Sequence, residues 1–549
     1  MNDRPGVPGA GTEDRAWARQ SGTSDDCAGR RQYRVEVTEH VGVTLSDGIT
    51  LSDGITLSGR LFLPQADEGA KRWLCLLLAN GYGNRNQPRE DGLCGFFARS
   101  GYAVLHVSMR GSGASEGVNT LFESYGEDGC ELVAWMAGQE WSTGAVGMIG
   151  QSLRGISQWL TAKRLPPGLK AISPEIASPD GYDDLWYAGG TLPGPGRRSR
   201  GAPEYPAAAA HRNKDDWWRE RTVSPEELAR IAQSGIAALI SGGWQDYVSP
   251  GNLKAYSALR AHGGICKLVV GPEAHASVAR MEPYDFRLCQ LRWFDRYLKG
   301  EDNGIDREEP VLLFIRGADM WRYERDWPIP DAKRAAFYLA GIPSGTLAGR
   351  DGDGSLSFAP ESESGSSVSC YDYLPDTGPL LPAMRCARGG IPAADLSRYE
   401  EAAASWTTEP LPRPAEITGI VRLRLWAACT AEDADFVVTL SAVSPGGRSQ
   451  QLTCGYLNAS RSRSRSHPAP LVPGEIRDYV IELMPMASVV PEGFRLRLAI
   501  AGGSCSLPEQ EAPQGPGLQP LPSAVTIYHS GRYPSCLEVP VIGGFIGPE

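Results

Sequence analysis

No run of about 18 apolar residues occurs in this 549-residue chain, so nothing in it reads as a membrane-spanning helix. The opening Met1-Asn-Asp-Arg-Pro-Gly lacks the apolar core of a secretion signal, and a cytoplasmic location is the expectation. Basic excess is missing too: a formal charge of −11 and a pI near 5.4 argue against nucleic acid or an anionic membrane as partner. The 12 cysteines form no CxxC pair and show no zinc-like spacing, so no metal site and no cofactor is expected. Several, such as Cys75 and Cys429, lie in apolar runs where a thiol packs as a small hydrophobe. What remains is ordinary for a soluble globular protein, 41% hydrophobic and 22% charged. At this length one core does not suffice, and two or three domains are expected.

The most informative segment is Ala145-Val-Gly-Met-Ile-Gly-Gln-Ser-Leu-Arg-Gly155. Val146 to Ile149 reads as a buried strand, a helix-like segment follows, and Ser152 sits on the turn between them. A sharp strand-to-helix turn of this kind lifts a serine hydroxyl off the end of a parallel sheet, with glycines where a Cβ has no room. The match to G-x-S-x-G is imperfect, because Arg154 holds the second glycine position and Gly155 comes one residue later. Hydrolases built this way carry their triad in the order serine, acid, histidine. Ile236 to Trp244 is the next strand-like run past the serine helix and ends in Gln245-Asp246-Tyr247. Lys267 to Val270 follows and closes in Gly271-Pro-Glu-Ala-His275. Of 7 histidines only His275 follows the acid at a strand end; the others are His40, His106, His211, His262, His467 and His529. Ser152, Asp246 and His275 are therefore the candidate catalytic residues, and the backbone N–H of Leu153 is a candidate oxyanion donor.

The chain resembles the cocaine esterase and X-Pro dipeptidyl-peptidase group of serine hydrolases, which includes alpha-amino-acid ester hydrolases. The resemblance rests on Asp53-Gly-Ile-x-Leu57 leading to Leu61-Phe-Leu-Pro64, on Met109-Arg-Gly-Ser-Gly-Ala-Ser-Glu-Gly117 and on Trp141 to Gly147 with the serine turn. Gly243-Trp-Gln-Asp246, Val270 to His275, Arg292 to Gly300, Trp321-Arg, Trp327-Pro328, Asp435-Phe436 and Tyr528-His529 complete it. It implies an α/β-hydrolase core with an inserted helical cap, followed by an all-β jelly roll. It also implies Tyr82, in Asn80-Gly-Tyr-Gly83, as the second oxyanion donor. The family usually has tyrosine after the nucleophile, where this chain has Leu153. Amino-ester hydrolases of the family often place glutamate at position 154. Arginine there inverts the charge, which disfavours a free α-amino group and favours an anionic one, unless Arg154 turns away to a structural carboxylate such as Glu175.

Along the chain, residues 1–32 read as a disordered tail, rich in Gly, Arg, Asp and Ser. Thr44 to Thr50 is repeated by Leu51 to Thr56 and lengthens one β-turn. Strand-like Trp73–Ala79, Tyr102–Val107 and Val146–Ile149 alternate with helical stretches, so residues 33–165 and 226–330 are expected to form one α/β core. Residues 166–225 interrupt it with Tyr182, Trp186, Tyr187, Trp217 and Trp218, and are expected to cap the site, with Trp186 and Tyr187 as substrate contacts. Ser224-Pro-Glu-Glu227 carries a helix-opening capping signature. From 331 to 549 short β-like runs predict a sandwich, and Ser460 to Ser466 reads as a solvated Arg-Ser loop. The expected function is hydrolysis of a small-molecule ester or amide through an acyl-enzyme. The same triad serves an acyltransferase or cyclase, and an intact triad argues against a non-catalytic binding module. A homodimer is left open.

Overall fold

The computed structural model describes residues 32–45, 54–66, 72–83, 87–120, 122–191, 205–272, 274–275, 285–347, 352–362, 368–373, 395–401, 403–502 and 523–543. The expected tail, apart from residue 32, and positions 46–53 of the duplicated turn lie outside them.

Ten strands form the first sheet: β1 (Arg34–Thr44), β2 (Thr56–Gln65), β3 (Trp73–Asn80), β4 (Tyr102–Ser108), β5 (Ser142–Gln151), β6 (Leu169–Glu175), β7 (Ala237–Gly243), β8 (Cys266–Gly271), β9 (Val311–Ile315) and β10 (Met320–Glu324). Their spatial order is β1-β2-β4-β3-β5-β6-β7-β8-β9-β10. The run from β4 to β9 is parallel, whereas β1, β2 and β10 pair antiparallel at the edges. The sequence explains the arrangement. Leu-Cys-Leu-Leu-Leu-Ala in β3 and Ala-Ala-Leu-Ile in β7 are apolar on both sides, as strands covered by helices on both faces must be. Those helices include α1 (Gln87–Arg99), α2 (Tyr125–Ala137) and α3 (Leu153–Ala162). α4 (Tyr205–Ala210) lies within the insertion, and past it come α5 (Pro225–Ser234), α6 (Ser249–Ala261) and α7 (Phe286–Phe294). At the start of α5 the Ser224 hydroxyl accepts from Glu227 N–H while the Glu227 carboxylate accepts from Ser224 N–H, the reciprocal box its sequence predicts.

Residues 166–225 need one correction, since β6 lies inside that span and sits mid-sheet between β5 and β7. The insertion starts only after Glu175. Ser173 and Glu175 make the strand look loop-like, yet both are buried, with Gln290 Nε2 donating to each at 2.8 and 3.0 Å. The insertion proper holds a π-helical turn at Gly181–Trp186, α4 and a 3₁₀ turn at Asp216–Arg221, around a core of Tyr182, Tyr187, Ala208 and Trp218.

A second network of thirteen strands begins at Lys333–Ala340 and ends at Cys536–Ile542. Among the described residues all its pairings are antiparallel except Asp353–Ser357 with Ala404–Thr407. It encloses a separate core built on Phe337, Trp406, Phe436 and Leu498 among others. The molecule is thus an α/β-hydrolase core followed by a β-rich domain. The Arg-Ser tract is only partly the solvated loop expected, for Arg463 and Ser466 are exposed but the other two arginines are engaged. Arg461 is 1% exposed, with Nη2 donating to Asn213 at 3.1 Å, and Arg465 Nε donates to Asp183 at 3.3 Å, so the tract fastens the β-rich domain to the insertion. Among the described residues no helix is long and apolar enough to cross a membrane.

Candidate active site

Ser152 stands between β5 and α3 with φ 57° and ψ −124°, a left-handed conformation that a non-glycine residue holds only when its surroundings enforce it. They do. Its N–H donates to the Glu175 carbonyl at 2.8 Å, and its carbonyl accepts from Gly155 and Ile156 at 2.8 and 2.9 Å. Gly150, at φ +130°, has no room for a side chain, since a Cβ would come within 2.6 Å of the Arg154 Cβ. A Cβ on Gly155 would overlap that of Ala177, so the displaced second glycine still serves the close helix-to-strand approach.

Asp246 is fully buried on the turn after β7, where its Oδ1 also accepts from Val248 N–H at 3.3 Å. His275 lies past the end of β8, in the position expected from the sequence. The three side chains meet. His275 Nδ1 is 3.0 Å from both carboxylate oxygens of Asp246, and Nε2 is 2.8 Å from Ser152 Oγ. An ionised carboxylate only accepts, so Nδ1 carries the ring proton and Nε2 accepts from the serine hydroxyl. Burial pushes the His275 pKa down, but the charge of Asp246 and the hydrogen bond to it outweigh that, and the net shift is upward. Tyr247, which sequence reasoning passed over, stacks on the imidazole with ring centroids 5.3 Å apart.

Tyr82 Oη is 3.0 Å from Ser152 Oγ. Because the serine proton points at His275, the tyrosine is the donor in this bond. Its loop is held from below by Asn80, whose Oδ1 accepts from Tyr82 N–H at 2.9 Å and whose Nδ2 donates to the Gly83 carbonyl at 2.7 Å. As the first residue of α3, Leu153 keeps an N–H without an intrahelical acceptor beside the serine. Ser152, Asp246, His275, Tyr82 and Leu153 thus converge on one point, where a hydroxyl can be deprotonated beside two donors.

Arg154 does not face this point openly, and the expectation that it touches substrate is corrected. Its side chain is 3% exposed and forms an ion pair with Glu90 of α1, which also accepts from Asn80 and pairs with His106 at 2.9 Å. The guanidinium carbon lies 4.9 Å from the centre of the Tyr82 ring. Burial pulls its pKa down to about 10, still charged at neutral pH. Partner choice also differs from the sequence expectation: Glu175 is engaged by Arg287 at 2.9 Å, and Glu90 takes Arg154. Tyr187 is corrected too. It is buried in the insertion, its hydroxyl donating to the Ala208 carbonyl at 2.8 Å, and Trp186 packs half-buried against the same aromatic cluster. Among the described residues no group of His, Cys, Asp and Glu could hold a metal ion.

Two family models match the chain. X-Pro dipeptidyl-peptidase (S15 family) covers residues 53–200 and 196–277, and the X-Pro dipeptidyl-peptidase C-terminal non-catalytic domain covers 303–538. Cocaine esterase of Rhodococcus sp. (strain MB1 Bresler) is 28% identical over 520 residues, which span 81% of this chain and 89% of that protein. A putative serine esterase of Mycobacterium bovis is 27% identical over 573 residues, 86% of this chain and 88% of its own. Among solved structures, a CocE/NonD family hydrolase from Staphylococcus aureus superposes with TM-score 0.71 at 20% identity, covering 92% of this chain and 94% of its own. An alpha-amino acid ester hydrolase gives TM-score 0.72 at 20% identity, covering 92% and 97%. At such identities the structural likeness speaks to the fold.

Proposed function

Because the chain belongs to the cocaine esterase and X-Pro dipeptidyl-peptidase family of serine hydrolases, we propose that it cleaves a small-molecule ester or amide through an acyl-enzyme on Ser152. The observation that carries this reading is the unbroken hydrogen-bonded chain Asp246–His275–Ser152–Tyr82. Ser152 Oγ attacks the carbonyl carbon while His275 Nε2 takes its proton, and the resulting imidazolium is stabilised by Asp246. The carbonyl oxygen becomes an oxyanion that accepts from Tyr82 Oη and Leu153 N–H, each worth about 3–4 kcal/mol of barrier. His275 then returns the proton to the departing oxygen or nitrogen as the tetrahedral carbon collapses to the acyl-enzyme. Water then attacks the acyl carbon while giving a proton to His275; as the bond to Ser152 Oγ breaks, His275 returns that proton to Oγ and the acid leaves.

A fluorophosphonate probe tests the nucleophile directly. One probe per chain is expected, mapped by peptide mass to Ser152, with ester hydrolysis lost in step with labelling. Labelling elsewhere, or full activity after complete labelling of Ser152, contradicts the reading. Product analysis with an added amine or alcohol separates transfer to water from transfer to another acceptor.

A further inference from the structure

A cavity of about 400 Å³ opens between the first sheet and the β-rich domain. Gln245 and Tyr247, which flank Asp246, form part of its wall, and Tyr247 is the residue stacked on His275. Tyr247 thus links the cavity wall to the catalytic histidine. Arg316, one residue past β9, lines it. Its backbone is clamped to the β-rich domain: its N–H donates to the Ala487 carbonyl at 3.1 Å, and its carbonyl accepts from Val489 N–H at 2.8 Å. Nη2 donates to the Leu452 carbonyl at 2.9 Å, which fixes the plane of the guanidinium. Its Nε is buried with no acceptor, and the Oε1 of Gln451 in the same wall is buried with no donor.

The other charges of this cavity face countercharges, through ion pairs for Asp183, Arg465 and Glu482 and at longer range for Lys254. Asp183 accepts from Lys214 and Arg465 at 2.9 and 3.3 Å, and Glu482 pairs with Arg422 at 2.9 Å. Asp184 accepts from the Ser178 hydroxyl, and Lys254 lies in the field of Asp184, Asp183 and Glu482. Arg316 is different. Burial alone acts on it, pulling its pKa down to about 10, and no carboxylate among the described residues offsets that. Burying a guanidinium without a counter-charge is costly, and the planar fork is the side chain best shaped to hold a carboxylate through two parallel hydrogen bonds. Arg154, two residues past the serine, is already spent on Glu90.

We propose that this cavity receives a free carboxylate of the substrate on Arg316, so that the preferred substrates are mono-esters or mono-amides bearing a second, unesterified carboxylate. The proposal rests on the triad reading above for its chemistry, but the anion site is independent of it. Calorimetric titration of the Ser152→Ala protein with glutarate reads the site without turnover. Saturable binding is expected, weakened about tenfold or more in Ser152→Ala/Arg316→Met, as loss of a charged hydrogen bond implies. In the active protein, kcat/KM is compared for 4-nitrophenyl hydrogen glutarate and the neutral 4-nitrophenyl pentanoate. Their ratio is expected to favour the carboxylate ester and to fall about tenfold or more in Arg316→Met, mainly through KM. Arg316→Lys, which keeps the charge and loses the fork, should fall between and guards against misfolding of the methionine variant. No glutarate binding, or a ratio unmoved by both substitutions, overturns the proposal. Glutarate binding that depends on Arg316, with neither ester hydrolysed, upholds the anion site and places the failure in the triad chemistry.

Discussion

Tyr82→Phe subtracts a single hydroxyl and leaves the ring where it is. The ring is held by the Arg154 guanidinium 4.9 Å from its centre and by Asn80 beneath the loop, and a phenyl ring accepts the same cation contact. The variant therefore isolates the donor. A lost oxyanion donor costs about 3–4 kcal/mol in the transition state. Against this stands the resting-state bond from Tyr82 to Ser152 Oγ at 3.0 Å, which also disappears and whose net worth is about 1 kcal/mol. The barrier should rise by the difference, about 2–3 kcal/mol, or about 30- to 160-fold in kcat. KM should move little, because the bond strengthens only as charge develops. At 37% exposure the residue contributes little to stability, so unfolding in urea should be unchanged within about 0.5 kcal/mol. The assay is single-turnover acylation with an amide or unactivated ester, where chemistry is rate-limiting. An acylation rate within about threefold of the parent enzyme would refute the assignment of Tyr82 as a donor.

The upward shift of His275 has a sign that a pH profile can check. A raised pKa keeps the imidazole protonated, and useless as a base, to higher pH. The acid limb of kcat/KM should therefore have its midpoint above the ordinary histidine value of about 6.5, and activity should be lost as pH falls through it. Asp246→Asn should lower kcat by about 10⁴ and move that midpoint down; a limb at or below about 6.5 in the parent enzyme contradicts the pairing. Arg154→Met strands Glu90 in the interior and should destabilise the fold by about 3–5 kcal/mol in urea unfolding. Adding Glu90→Gln should recover part of that loss, a coupling of about 0.5–3 kcal/mol. The ratio of kcat/KM between an amino ester and its deamino analogue should stay put in Arg154→Met, against the expectation drawn from the sequence.

What could be read in advance follows from how far each cause lies along the chain. Ser152, Asp246 and His275 were visible because each follows an apolar run at the same end of a parallel sheet, a local pattern with a fixed order. Tyr82 came from family resemblance, and the preceding Asn80, which orders its loop, carried the only local hint. Arg154 was misread because its direction depends on how α3 is rotated and on Glu90, far upstream on another helix. Strand β6 was hidden because Ser173 and Glu175 look like loop residues until Gln290 and Arg287, more than a hundred residues later, satisfy them. Arg461 and Arg465 of the Arg-Ser tract were missed for the same reason, since their partners Asn213 and Asp183 belong to the insertion. Arg316 shows nothing in the sequence, and only the missing counter-charge around it in three dimensions sets it apart.

The central claim is that Ser152 is the nucleophile of a Ser-His-Asp hydrolase, and the most direct measurement is the turnover of pure Ser152→Ala on an ester that the parent enzyme cleaves. Removing one hydroxyl from the elbow should leave circular dichroism and urea unfolding unchanged while kcat falls on the order of 10⁶-fold, the scale on which such triads fail as a unit. Hydrolysis by the variant within about tenfold of the parent rate, after contaminating enzyme is excluded, would contradict the account.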